Sequence, residues 1–197
     1  MQSVFPIAYF GSIAYYKELV SAENPIFEQW ETYPKHSLRN HCEILTPNGV
    51  LDLIVPLRKV NGSKTITKDV RVDYTTDWTK KHWRTFVSGY SSSPYFDHYG
   101  MEIEEILNQK HEFLIDLSQL VHEKINIWLD LKVPFQLTDN FEKENIQDFR
   151  NAFKTRKLQA EYKYQQVFAL KENFVPDLSI LDAIFNLGPM ARKLLKD

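Results

Sequence analysis

Cysteine occurs once in the 197 residues, as Cys42. An internal disulfide is therefore excluded, and one thiol cannot build a zinc site without several other ligands. The six histidines, His36, His41, His82, His98, His111 and His122, do not supply them, because no two share the spacing that puts metal ligands on one helix face. No Gly-rich phosphate loop, dinucleotide turn, Gly-x-Ser-x-Gly elbow or His-Glu-x-x-His element is present. No metal and no cofactor is expected. Long apolar runs are missing too: no window reaches the length of a membrane helix, and Met1-Gln2-Ser3-Val4-Phe5-Pro6 is not a basic stretch leading into an apolar one. These features lead us to expect a cytoplasmic protein with no integral membrane segment. A formal net charge of -2 gives no overall attraction to polyanions, so nucleic acid is not an expected partner.

What the chain does have is an ordinary globular balance, 43% hydrophobic and 25% charged, which argues against disorder and supports one domain over residues 1–197. Aromatics are abundant, with thirteen Phe, ten Tyr and four Trp, and such rings either fill a core or line a groove. Charge is uneven. Lys35 to Arg84 holds ten Lys/Arg against five Asp/Glu, whereas residues 101–150 hold eleven acids. An anionic ligand belongs with the first half.

Local patterning predicts an α+β fold, with a small, mostly antiparallel sheet in the N-terminal half and a helical C-terminal half. Residues 3–10 read as a short extended segment that Pro6 demotes from a central strand. Gly11-Ser12 offers a turn and an N-cap for a helix through about Val20. Ile26 to Glu31 alternates like a strand with Glu28 on a wet face. Cys42–Leu45, Val50–Leu57 and Thr65–Tyr74, separated by Asn48-Gly49 and Asn61-Gly62, predict an antiparallel meander. From Asp77 the period becomes helical, with Trp78, His82, Phe86 and Tyr90 recurring every four residues up to Ser91-Ser92-Ser93-Pro94. Further helices are predicted over 100–108 and from His111 to Leu131. Residues 139–164 lack a clear apolar period and read as helix or loop. A last helix is framed by Ser179 and the Gly188-Pro189 stop.

Several of these blocks resemble the WbqC-like family, in particular its Bacteroidetes-type branch. They are Tyr9-Phe10-Gly11-Ser12-Ile13-Ala14-Tyr15-Tyr16, Glu31-Thr32-Tyr33-Pro34-Lys35 leading to Arg39-Asn40-His41-Cys42, and Asn48-Gly49 followed by Leu53-Ile54-Val55-Pro56. Lys68-Asp69-Val70 with Asp77-Trp78, Lys81-His82-Trp83-Arg84 with Ser92-Ser93-Pro94-Tyr95-Phe96, and the tail from Tyr164-Gln165-Gln166 to Gly188-Pro189 continue the series. The resemblance implies a role in assembling cell-surface polysaccharide of the O-antigen type, with transfer of an acyl, aminoacyl or glycyl group onto an amino sugar as the implied reaction. The chain departs from the pattern in two places: Ser3-Val4-Phe5-Pro6 stands where more distant members carry His-Gln-Pro, and His36 stands where many relatives carry Gln.

The chemistry-bearing residues fall in two segments, Lys35 to His41 and Lys81 to Arg84. Lys35, Arg39, Asn40 and Arg84 have the forks, ammonium and amide that hold a small anionic or sugar-nucleotide ligand. His82 or His36 can move a proton near neutrality, and Glu31 or Asp69 can act as base or orienter among basic neighbours. Tyr9 and Tyr95 offer rings on which a sugar could stack. The competing readings are solvated lysines, a packed His82, core tyrosines and a plain Glu31–Arg39 ion pair. Cys42 next to His41 on a strand points to the opposite face and reads as a buried thiol. An enzyme of glycan assembly and a non-catalytic module that binds a sugar nucleotide or a protein partner both remain open, as does the oligomeric state.

Overall fold

The first strand, β1 (Gln2–Pro6), is sealed from Ser3 onward and lies between two parallel neighbours, β2 (Pro25–Glu28) and β7 (Ile146–Asp148). The computed structural model describes residues 1–35, 37–141, 144–153, 163–168 and 174–196. Pro6 does not keep β1 at an edge as expected. It occupies the last position of the strand, paired with Glu28, so its missing N–H costs the ladder nothing in the middle. All four residues of β2 are buried, Glu28 included, which corrects the expected wet face. A strand of a parallel sheet is covered on both faces, and alternation then stops reporting exposure.

Between β1 and β2 runs α1 (Ile13–Ser21), capped by Ser12, whose Oγ accepts the Tyr15 N–H. Ile13, Tyr15, Tyr16 and Leu19 turn inward. The expected meander is two separate hairpins. β3 (His41–Thr46) pairs with β4 (Gly49–Ile54) around Pro47-Asn48, with Gly49 at φ 104° taking the conformation an L side chain avoids. Pro56, which has no N–H, then interrupts the ladder, and β5 (Leu57–Lys59) pairs with β6 (Val70–Val72) instead.

α2 (Trp78–Tyr90) lies across β3, with Gly89 so close to the Leu45 carbonyl that an added Cβ would sit 3.2 Å from it. Its buried stripe contains Trp78, His82, Phe86 and Tyr90, as the four-residue recurrence predicts. α3 (Phe96–Asn108) and α4 (Leu114–Trp128) follow, joined through Glu102, which accepts from Trp128 Nε1 at 3.1 Å and Lys124 Nζ at 2.5 Å. α5 (Ile180–Leu187), capped by Ser179, is buried all round, as befits a central core helix. The same Ser179 donates its hydroxyl to the Phe10 carbonyl, while Ile13 N–H and Ile180 N–H bond Leu178 and Gly11 carbonyls. The start of α1 and the start of α5 are thus clasped together. The fold is α+β, with its helices concentrated in the C-terminal half. Among the described residues, no helix is long and apolar enough to cross a membrane.

Candidate functional site

Because β2, β1 and β7 run parallel, their carboxyl ends share one edge, the position where open parallel sheets usually present ligands. Glu28 and Asp148 end their strands there, and Glu31, Arg39 and Arg150 gather beside them. Arg150 forks onto Asp148, with Nε 2.9 Å from one oxygen and Nη2 2.7 Å from the other, and reaches Glu28 with Nη1 at 3.0 Å. Glu28 is completely buried and also accepts from the Trp30 N–H at 2.7 Å and the Thr138 hydroxyl at 3.1 Å. Arg39, 1% exposed, donates Nε to Glu31 at 2.8 Å and Nη2 to the Arg150 carbonyl at 3.0 Å. A buried charge is tolerated only when paired and hydrogen-bonded, and this chain of contacts meets that condition.

Glu31 differs from its neighbours. Both of its Arg39 contacts fall on Oε1, at 2.8 and 2.5 Å, and its side chain keeps 11% exposure. Burial pushes its pKa above the ordinary glutamate value against the pull of Arg39. The result is an oriented carboxylate with raised basicity at the surface of a charged network, able to take a proton from a group that docks there.

The turn that delivers Arg39 is itself stitched down. Asn40 accepts from the Tyr33 hydroxyl at 2.8 Å and donates Nδ2 to the Val55 carbonyl at 2.9 Å. Burial raises the pKa of the Tyr33 hydroxyl, and the buried Ser37 side chain beside it helps to hold that pKa down. Lys35 is exposed and close enough to Lys59 to help lower the latter's pKa, after burial, and the Lys59 ammonium lies 4.7 Å from the Tyr33 ring centroid. His36 lies outside the described residues.

His82 belongs to a different network. Its Nδ1 is 3.0 Å from the Tyr9 hydroxyl, both side chains are buried, and Trp78 packs edge-on to each ring. Burial, opposed by a bond to the Ile54 backbone, pushes the His82 pKa down to about 4. The imidazole is neutral at physiological pH, and the Tyr9 phenol, fully enclosed, is held well above its ordinary value by burial. Tyr9 N–H donates to the Leu38 carbonyl at 3.2 Å, so the segments of residues 39 and 82 adjoin, yet Arg39 and His82 direct their polar atoms into separate networks. Arg84 is elsewhere again, in a recess formed by α2 and the β3–β4 turn. Tyr95 precedes α3 with its ring against Gly188. Asp69 is half-buried in the turn before β6. Cys42 is buried, with its thiol pushed up to about 12 by burial, which makes it a poor nucleophile.

Glu28, Asp148 and Arg150 escape sequence reasoning. The Asp-x-Arg spacing of Asp148-Phe149-Arg150 is a weak sign of a local ion pair, but nothing local announces that it closes over Glu28. Among the described residues, no three His, Cys, Asp or Glu side chains assemble into a metal-binding group.

A model of the WbqC-like protein family matches residues 7–162. The chain belongs to the WbqC-like protein family. The matched stretch includes Glu28, Glu31, Arg39, Asp148 and Arg150, as well as α2 and both hairpins, so the sheet-edge network of this WbqC-like chain lies within the family's own span. α5 lies beyond it. No match is found among curated proteins or among solved structures.

Proposed function

We propose that this WbqC-like chain transfers an acyl or aminoacyl group, glycyl included, onto the amine of an amino sugar during cytoplasmic assembly of O-antigen-type surface polysaccharide. The reaction centre is the carboxyl edge of the parallel sheet. The observation that carries this reading is Glu31: a partly exposed carboxylate, oriented through one oxygen by a sealed arginine and made more basic by burial. Amide formation needs that group. The sugar ammonium first loses one proton to solvent, and Glu31 takes the second as the nitrogen attacks the acyl carbonyl. The C–N bond forms, the bond from the carbonyl to the donor's leaving group breaks with its electron pair, and the proton held by Glu31 passes to the departing group.

In this reading Arg39 orients Glu31, Lys35 and Lys59 face the anionic part of the donor, and Asn40 holds the turn. His82 and Tyr9 act as a neutral brace, and His36 is a second proton carrier. The non-catalytic alternative draws on one observation, that Arg39 Nε and Nη2 go to Glu31 and the Arg150 carbonyl, partners that a purely structural ion pair also explains.

The two are separated by incubating the protein with a panel of nucleotide-linked amino sugars and thioester or aminoacyl donors and reading the product by mass spectrometry. Transfer should occur and fall about 10²- to 10⁴-fold in Glu31→Gln, which keeps the Arg39 hydrogen bond but cannot hold the proton. In the wild type, kcat/KM should rise with pH through a value above the ordinary glutamate range. Binding without turnover, or turnover unaffected by Glu31→Gln, would exclude Glu31 as the base.

A further inference from the structure

The wet face of α2 opposes the β3–β4 turn across a recess of about 600 Å³. Lys80, Lys81 and Arg84 stand on its helical wall, Asp77 at its end, and Asn48 and Leu51 on the hairpin side. Asp77 lies 3.6 Å from Lys80. Lys81 and Arg84 enter no ion pair among the described residues. Three cations against one anion leave two positive charges unmatched, and Lys80 and Arg84 repel each other at i, i+4, which works against the helix unless something answers it.

We infer that this recess is an anion site that takes a phosphate or diphosphate ester carried on a ring, the chemistry shared by a nucleotide and a sugar phosphate. A phosphate monoester brings close to two negative charges at neutral pH, which matches the unneutralised excess. Arg84 grips its oxygens with a planar fork and the lysines add point charges. A phosphate group alone is far too small for the space, which falls within the usual range for small-molecule sites of about 300–1,000 Å³. Leu51, 41% exposed although it is a leucine, gives the ring an apolar floor, and the Asn48 side chain supplies one donor group and one acceptor to its edge. Neither Glu31 nor Arg39 lines the recess, so the site stands independently of the reaction proposed at the sheet edge.

Titration calorimetry on the full chain tests it with three probes: inorganic pyrophosphate, uridine diphosphate and a hexose phosphate. Saturable binding is expected, weaker for pyrophosphate than for at least one ring-bearing probe, and weakening as salt rises. Lys81→Ala and Arg84→Ala should each weaken it at least about tenfold, whereas Lys193→Ala, an exposed lysine outside the recess, should not. The substituted residues are surface groups, and an unchanged melting curve confirms that the fold survives. Absence of saturable binding by all three probes, or affinity equal in wild type and both variants, overturns the inference. Glu31→Gln should leave binding intact, so failure of the sheet-edge reaction and failure of this site are read separately.

Discussion

At the scale of single residues, the structure turns on which polar groups are enclosed. His82 was legible as a chemically able side chain on a packed stripe, and the stripe prevailed: a ring one turn from Trp78 and Phe86 is carried inside with them. Its neutrality has a measurable result. The folded pKa lies at about 4, below the ordinary 6.5, so the native state binds fewer protons than the unfolded chain between those values. The stabilisation is present above 6.5 and is lost as pH falls toward 4, amounting to about 2 kcal/mol by about pH 5. His122, also lowered by burial, acts in the same direction. Denaturant midpoints at neutral pH and about pH 5 should show this loss in the wild type and a distinctly smaller one in His82→Gln. Arg39 and Glu31 were recognisable as a pair from charge alone. The burial that makes Glu31 more basic was not, because enclosure is set by packing in space, and it prevails over the pull of Arg39 and of the distant Arg150.

At the scale of elements, capped and periodic segments could be read directly. Ser12 and Ser179 accept the helix N–H groups that their positions imply, and Asn48-Gly49 makes the hairpin turn. Asp77 occupies the cap position of α2 without bonding through its side chain, so the location was legible and the device was not. Gly188 does more than stop α5. It holds φ at 57°, and a Cβ there would meet the Tyr95 ring at 2.5 Å, which locks the start of α3 against the end of α5. Gly188→Ala should cost about 1–2 kcal/mol for the backbone alone and more from displacement of the ring. Adding Tyr95→Ala should be sub-additive, removing the ring term and leaving the backbone term; strict additivity of the two denaturation free energies would show that the ring is not the obstacle. β7 had no such signal, since three residues with only Ile146 half-buried form a strand solely because the open side of β1 accepts them.

At the scale of the whole molecule, Arg150 ties the late strand to the early sheet. It joins Asp148 to the fully buried Glu28, while Phe149 stacks on Phe5 at 4.4 Å and gives its N–H to the Val4 carbonyl. Arg150→Met leaves Glu28 charged and enclosed, at a cost of about 3–5 kcal/mol. Denaturation should show that loss, and hydrogen exchange at the Phe149 amide should quicken more than at β3; equal stability would mean that Glu28 neutralises without penalty. The sequence by itself determined the α+β character, the helical stripes, the caps, the first hairpin and the family, because each depends on residues within a few turns or on the order of short motifs. Only tertiary structure decided that β1 is central, that Glu28 is dry, that Arg39 and His82 serve separate networks and that Lys81 and Arg84 face a recess. Those outcomes depend on which distant surfaces exclude water from a charge, and desolvation is set by neighbours in space that no local spacing names.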